Sequence, residues 1–306
     1  MSTPLRLVAR TPVDLIAFAH VGLGFVPEES LVVSALGGRP FHCRLDVPTP
    51  ADRTVALAEL AQVAQRQATT AVIVFVFSRS ERGVRALGHS ALAAFEQVGV
   101  SVLEVIWADG HRWCLPMHGQ HSGQPTAYDL ADHPLILDAL LAGFPVLSSR
   151  EALAGRVAAD PGLQQEVSGC LQVLSPSEAG GRVRRGQPLP DPTAEAQLAG
   201  ENPTPIQIAR VLRLLESGLP DEWVAAVGQR PAAHLQTWCA MTRAAPEGRV
   251  ADPAALTALA AWSCGNGALA WCAVERCLAE EPGHLLGGWV ARLLETATPP
   301  LRDEPA

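Results

Sequence analysis

The sequence predicts an α/β N-terminal domain, a mixed sheet with flanking helices, followed by an all-α helical C-terminal domain. Three observations carry this. Short β-branched apolar runs alternate with segments of helical spacing through residue 147. After residue 125 the helical period takes over and persists to the end of the chain. A proline- and glycine-rich stretch then separates two blocks, each long enough to bury its own core. The expected boundaries are 1–147 for the α/β domain, 148–174 for connecting helices, 175–205 for a linker and 206–306 for the helical domain.

In chain order, Leu31–Leu36 is a β-branched strand, Gly37-Gly38 supplies the backbone freedom of a tight turn, and Pro40–Val47 returns as its partner. Val55, Leu57, Leu60 and Val63 give Asp52–Gln67 a helical face. Ala71–Phe77 is uninterruptedly apolar, as a strand buried on both faces requires. A helix from Gly83 to Val98 and a strand from Val100 to Trp107 complete a strand–helix–strand unit, which implies parallel pairing. Asp109-Gly110 is a hairpin signal that turns the next strand back as an antiparallel edge. Tyr128–Leu141 and Pro161–Leu174 read as helices, and Ser148 with Glu151 has the spacing of a capping box. From Pro205 onward, five or six short helices are expected, broken at Gly218, Pro231, Pro246, Gly265-Asn266-Gly267 and Pro282, with Asp252-Pro253 read as N-cap and first helical residue.

All 23 basic residues of the 306-residue chain are arginines. The absence of lysine excludes Schiff-base, phosphate-loop and kinase-strand lysine chemistry within the chain. A net charge of −8 argues against general nucleic-acid binding. With no apolar run of spanning length and no secretory leader, no membrane association and a cytoplasmic location are expected. The seven scattered cysteines read as reduced, buried residues.

Several segments resemble an actinobacterial family, the domain of unknown function numbered 4192. They are Asp14-Leu15, Gly24-Phe25-Val26-Pro27-Glu28-Glu29-Ser30-Leu31-Val32-Val33, Arg44-Leu45-Asp46-Val47-Pro48, Asp109-Gly110-His111-Arg112-Trp113, Ser148-Ser149-Arg150-Glu151 and Trp262-Ser263-Cys264-Gly265-Asn266-Gly267-Ala268-Leu269-Ala270. The resemblance spans nearly the whole chain and implies no activity. Two departures stand out: His20-Val21 replaces the family's Pro-Tyr, and His118 and His121 lie where the family carries paired cysteines.

Three constellations bear on chemistry. Cys114, His118 and His121, with His111 or His133 as a fourth, have thiolate and imidazole donors at spacings that would fit tetrahedral zinc. Ser78, Arg79, Ser80, Arg82 and Gly83 lie between the end of a buried strand and the start of a helix, where free amides and guanidinium groups attract a phosphate or carboxylate. Glu28, Arg44 and Asp46 are the candidate catalytic residues, with Glu28 or Glu29 as general base. No nucleophile elbow, metalloprotease helix or cysteine–histidine protease signature is present. The expected function is therefore a non-enzymatic module binding a protein partner or a small anionic ligand; the alternative is an enzyme acting on an anionic small molecule.

Overall fold

The computed structural model describes residues 9–37, 41–117, 124–174 and 202–300. They fall into two compact units: one runs to Arg150 and also takes in Thr296–Pro299, the other spans Glu151–Glu295 with Pro300.

The first unit is built on a sheet. Strands β1 (Ser30–Leu36), β2 (His42–Asp46), β3 (Ala71–Phe77), β4 (Ser101–Ala108), β5 (Arg112–Cys114) and β6 (Thr126–Ala127) lie in the order β2-β1-β3-β4-β5-β6. The β1–β2 hairpin is antiparallel, β3 and β4 are parallel, and β4–β5 is the hairpin signalled by Asp109-Gly110. Gly110 takes φ 96° there, a left-handed conformation that suits glycine. Asp109 fixes the turn by accepting the amides of His111 and Arg112 at 2.9 and 2.7 Å.

Side-chain alternation assigns the two faces of the sheet. Leu31 and Val33 of β1 and Val72, Val74 and Val76 of β3 pack with Leu57 and Leu60 of α2 (Arg53–Arg66) and Leu87 and Phe95 of α3 (Val84–Gln97). The intervening Val32, Ile73, Phe75 and Phe77 are buried too. Phe77 meets α1 (Pro12–Leu23), whose His20 ring lies 5.4 Å from that of Phe77 and whose Phe18 ring lies 4.9 Å from that of His42. Strand β3 is thus covered on both faces, as its unbroken apolar run requires.

Helix α1 is well terminated. Thr11 and Asp14 form a capping box, Pro12 occupies the first turn, and Gly24 ends the helix at φ 76°. Near its end Gly22 lets the helix backbone meet the His42 ring, because a Cβ there would fall 2.5 Å from His42 Nε2. Gly22→Ala is expected to cost about 1–3 kcal/mol through this overlap, read as a lower urea midpoint at unchanged m-value.

The helix expected from Tyr128 begins instead at Pro134 (α4, Pro134–Leu141). Tyr128 donates its amide to the His111 carbonyl at 2.9 Å, prolonging the sheet pairing. His133, placed before proline, is held extended at ψ 128° and cannot continue a helix backwards. It caps α4 instead, accepting the Leu135 amide on Nδ1 and meeting Asp14 Oδ1 through Nε2 at 3.0 Å.

At the junction lies the short α5 (Arg150–Ala154). The second unit continues with α6 (Pro161–Val173), α7 (Pro205–Leu215), α8 (Asp221–Gln229), α9 (Pro231–Ala244), α10 (Ala251–Ser263), α11 (Gly267–Glu280) and α12 (Leu285–Glu295). Helix α10 is its axis. Every residue from Ala251 to Trp262 except Asp252 is buried, and α8, α9, α11 and α12 all pack against it. A helix apolar on all sides belongs in such a position. Thr242 and Thr257 share a buried hydrogen bond at 2.8 Å between α9 and α10. The expected N-cap role of Asp252 is not the one observed: Val250 precedes the helix, and the Asp252 carboxylate meets His284 Nε2 at 3.0 Å. That imidazole accepts the Gly287 amide at 3.1 Å on its other nitrogen, so Asp252 supports the start of α12 rather than of its own helix. Two separate tryptophan pairs form here, Trp223–Trp238 and Trp262–Trp289, with ring centroids 5.7 and 5.9 Å apart.

Candidate functional site

Strand pairing brings the charged segments of the first unit to one edge of the sheet. Ser30 lies opposite Asp46 on one side and Phe77 on the other. The start of β1, the end of β2 and the exit from β3 are therefore neighbours. At this edge the connections diverge: the chain enters β1 from α1 on one face and leaves β3 toward α3 on the other.

This edge is bridged by its own side chains. Glu29 Oε1 accepts the Arg79 amide at 2.9 Å, and the Glu29 carbonyl accepts the Val47 amide at 3.1 Å. Glu29 holds φ 41°, a left-handed conformation unusual outside glycine, and these two bonds oppose the strain. Arg79 also pairs with Glu28 at 3.5 Å. Ser30 donates its hydroxyl to the Glu28 carbonyl at 2.6 Å and accepts Arg44 Nε at 2.9 Å, while Arg44 pairs with Asp46 at 2.6 Å. A short parallel bridge, Phe25 to Leu147, anchors the turn from behind.

The β3–α3 loop divides into residues that build it and residues that face water. Ser78 is buried, donates to the Ser80 carbonyl at 2.8 Å and accepts the Trp107 indole N–H at 3.2 Å. Ser80 accepts the Arg82 amide at 3.2 Å. Both serines shape the loop. Gly83, at φ 83°, is the N-cap of α3 and supplies no side-chain acceptor to its amides. Arg82 and Arg85 are exposed and, among the described residues, form no ion pair. The first turn of α3 contains no acidic residue. Helix starts favour negative charge, so two arginines at an uncapped N-terminus concentrate positive potential there. Arg85 was not singled out from sequence, where it reads as one residue of a solvated helix face.

The edge is open. The side chains of Arg79, Glu28 and Asp46 are 84%, 68% and 85% exposed.

Of the zinc candidates, His118 and His121 lie outside the described residues. Cys114 is buried and donates its thiol to Glu81 Oε1 at 3.8 Å; burial and that carboxylate raise its pKa to about 11. His133 is engaged by Leu135 and Asp14, and His111 sits in the exposed β4–β5 turn. Among the described residues, no group of three or more histidine, cysteine or acidic side chains is placed to hold a metal.

The model of a domain of unknown function, DUF4192, matches residues 12–301. The chain belongs to the DUF4192 family. No curated protein and no solved structure matches it. The match covers both units, so the charged edge and the helical unit are parts of one DUF4192 sequence. Among the described residues of this DUF4192 protein, no helix is long and apolar enough to cross a membrane.

Proposed function

We propose that this DUF4192 chain is a non-enzymatic binding module, and that the sheet edge formed by residues 28–30, 44–46 and 78–85 receives an anionic group of its ligand. The observation that carries this reading is the convergence of the three charged segments on one open edge, with Arg82 and Arg85 exposed and, among the described residues, without an ion pair at the start of α3. Guanidinium donors and free helix amides suit phosphate or carboxylate oxygens. Arg79 borders the same place, but its guanidinium is paired with Glu28 and its backbone amide with Glu29, so Arg82 and Arg85 supply the attraction. The exposure of Glu28 and Asp46 favours reversible recognition over chemistry.

Titration with pyrophosphate tests the reading. Saturable binding is expected, weakening steeply with salt, and the Arg82→Ala, Arg85→Ala double variant is expected to lose about tenfold or more in affinity. Binding unchanged in that variant would place the anion elsewhere.

A further inference from the structure

Strand β2 is an outer strand of the sheet and, among the described residues, pairs only with β1; the other outer strand, β6, has just 2 residues. The Phe41 carbonyl accepts the Ala35 amide at 2.9 Å, and the Val47 amide donates to the Glu29 carbonyl at 3.1 Å. Hydrogen-bonded pairs alternate with non-bonded ones in an antiparallel ladder. In the observed register, Phe41, Cys43, Leu45 and Val47 are therefore the residues whose backbone groups turn toward β1. Those of His42, Arg44 and Asp46 turn away from the sheet, and no described residue bonds to them. An edge of this kind is a template for another strand. Between His42 and Asp46 it carries no proline, lysine or bulge to blunt it.

We propose that β2 pairs antiparallel with β2 of a second copy of this chain, about a two-fold axis through a Leu45–Leu45 pair, joining the two sheets into one. The charge pattern identifies both the partner and the register. Arg44 and Asp46 are two residues apart and so share a face of the strand. Placing Leu45 opposite itself sets Arg44 against Asp46 of the second copy, and Asp46 against Arg44 of the second copy. Opposite charges directly across a strand pair attract, whereas a pairing centred on Arg44 would set two guanidinium groups against each other. Within one chain the two side chains already pair at 2.6 Å, and Asp46 is 85% exposed, open to a second guanidinium. Residues 44 and 46 also carry the outward backbone groups, so each cross-axis pair exchanges both ladder hydrogen bonds.

The other face of the strand agrees with this register. Cys43, Leu45 and Val47 are half-buried against the core that the sheet shares with α2 and α3. The pairing sets Leu45 on Leu45 and Cys43 on Val47, which continues that apolar layer across the axis. His42 then meets Pro48, whose missing N–H ends the match. The proposal stands whether or not residues 78–85 bind an anion.

Sedimentation equilibrium of the full chain tests it. The unaltered chain is expected to reach the mass of two chains at about 100 µM and to dissociate on dilution, as suits a small edge contact. Arg44→Asp and Asp46→Arg each set like charges across the axis and are expected to weaken self-association about tenfold or more. An equimolar mixture of the two variants is expected to associate again, because each strand then offers the charge that the other lacks. A chain that stays monomeric at that concentration, single variants that associate as well as the unaltered chain, or a mixture no better than its components would overturn the proposal. Should either variant not fold, backbone amide exchange in the unaltered chain decides. Exchange at His42, Arg44 and Asp46 that slows as concentration rises supports the pairing, and exchange independent of concentration refutes it.

Discussion

Acidification from pH 6.5 to 4 is expected to strip several kcal/mol of stability from the first unit. His20 and His42 are neutral when folded, with pKa values lowered to about 4 by burial, whereas the unfolded chain takes protons near 6.5. Across that interval the unfolded state binds more protons than the folded one, so stability falls as pH falls. The contribution is complete above 6.5 and is lost as pH passes down through 4. Each ring accounts for about 3 kcal/mol over the full window, at about 1.4 kcal/mol for each pH unit. Urea midpoints measured at pH 7, 5.5 and 4.5 should fall progressively, and His20→Phe should flatten the trend. A midpoint independent of pH over this range would mean that the two rings are solvated.

Phe95→Ala is expected to cost about 3–5 kcal/mol, because the ring is fully buried between α3 and the sheet and its removal leaves a cavity. Arg85→Ala on the same helix should change stability by less than about 0.5 kcal/mol, since its side chain is exposed. The contrast separates the two duties of α3. One face fixes the helix against the sheet, and the first turn is the part proposed to meet a ligand. Urea unfolding of the two variants under one set of conditions checks both values.

Much of the architecture was readable because its signals are local. Asp109-Gly110 specifies a hairpin whatever surrounds it, and the apolar run of Ala71–Phe77 requires burial on both faces. The late start of α4 was also written in the chain, in Pro134, but helical spacing alone extended the segment back to Tyr128. Asp252 misled for a different reason. Asp-Pro is an ordinary helix start, and only the tertiary approach of His284 diverts the carboxylate from capping.

The candidate edge was legible as three charged segments and not as one place. Their union depends on the register that sets Ser30 between Asp46 and Phe77, which no single segment encodes. Register likewise decides that Glu29 meets the Arg79 amide across 50 residues of sequence. The burial of His20 and the half-burial of His42 were hidden because a histidine near an apolar run carries the same local pattern whether it faces water or a helix.

The binding reading is tested most directly by backbone amide resonances followed during addition of pyrophosphate at low ionic strength. Saturable shifts confined to residues 79–86, absent with equimolar added chloride and abolished in the Arg82→Ala, Arg85→Ala variant, are the expected result. No saturable shift there, or saturable shifts only in the helical unit, would contradict the assignment of this edge as the ligand face.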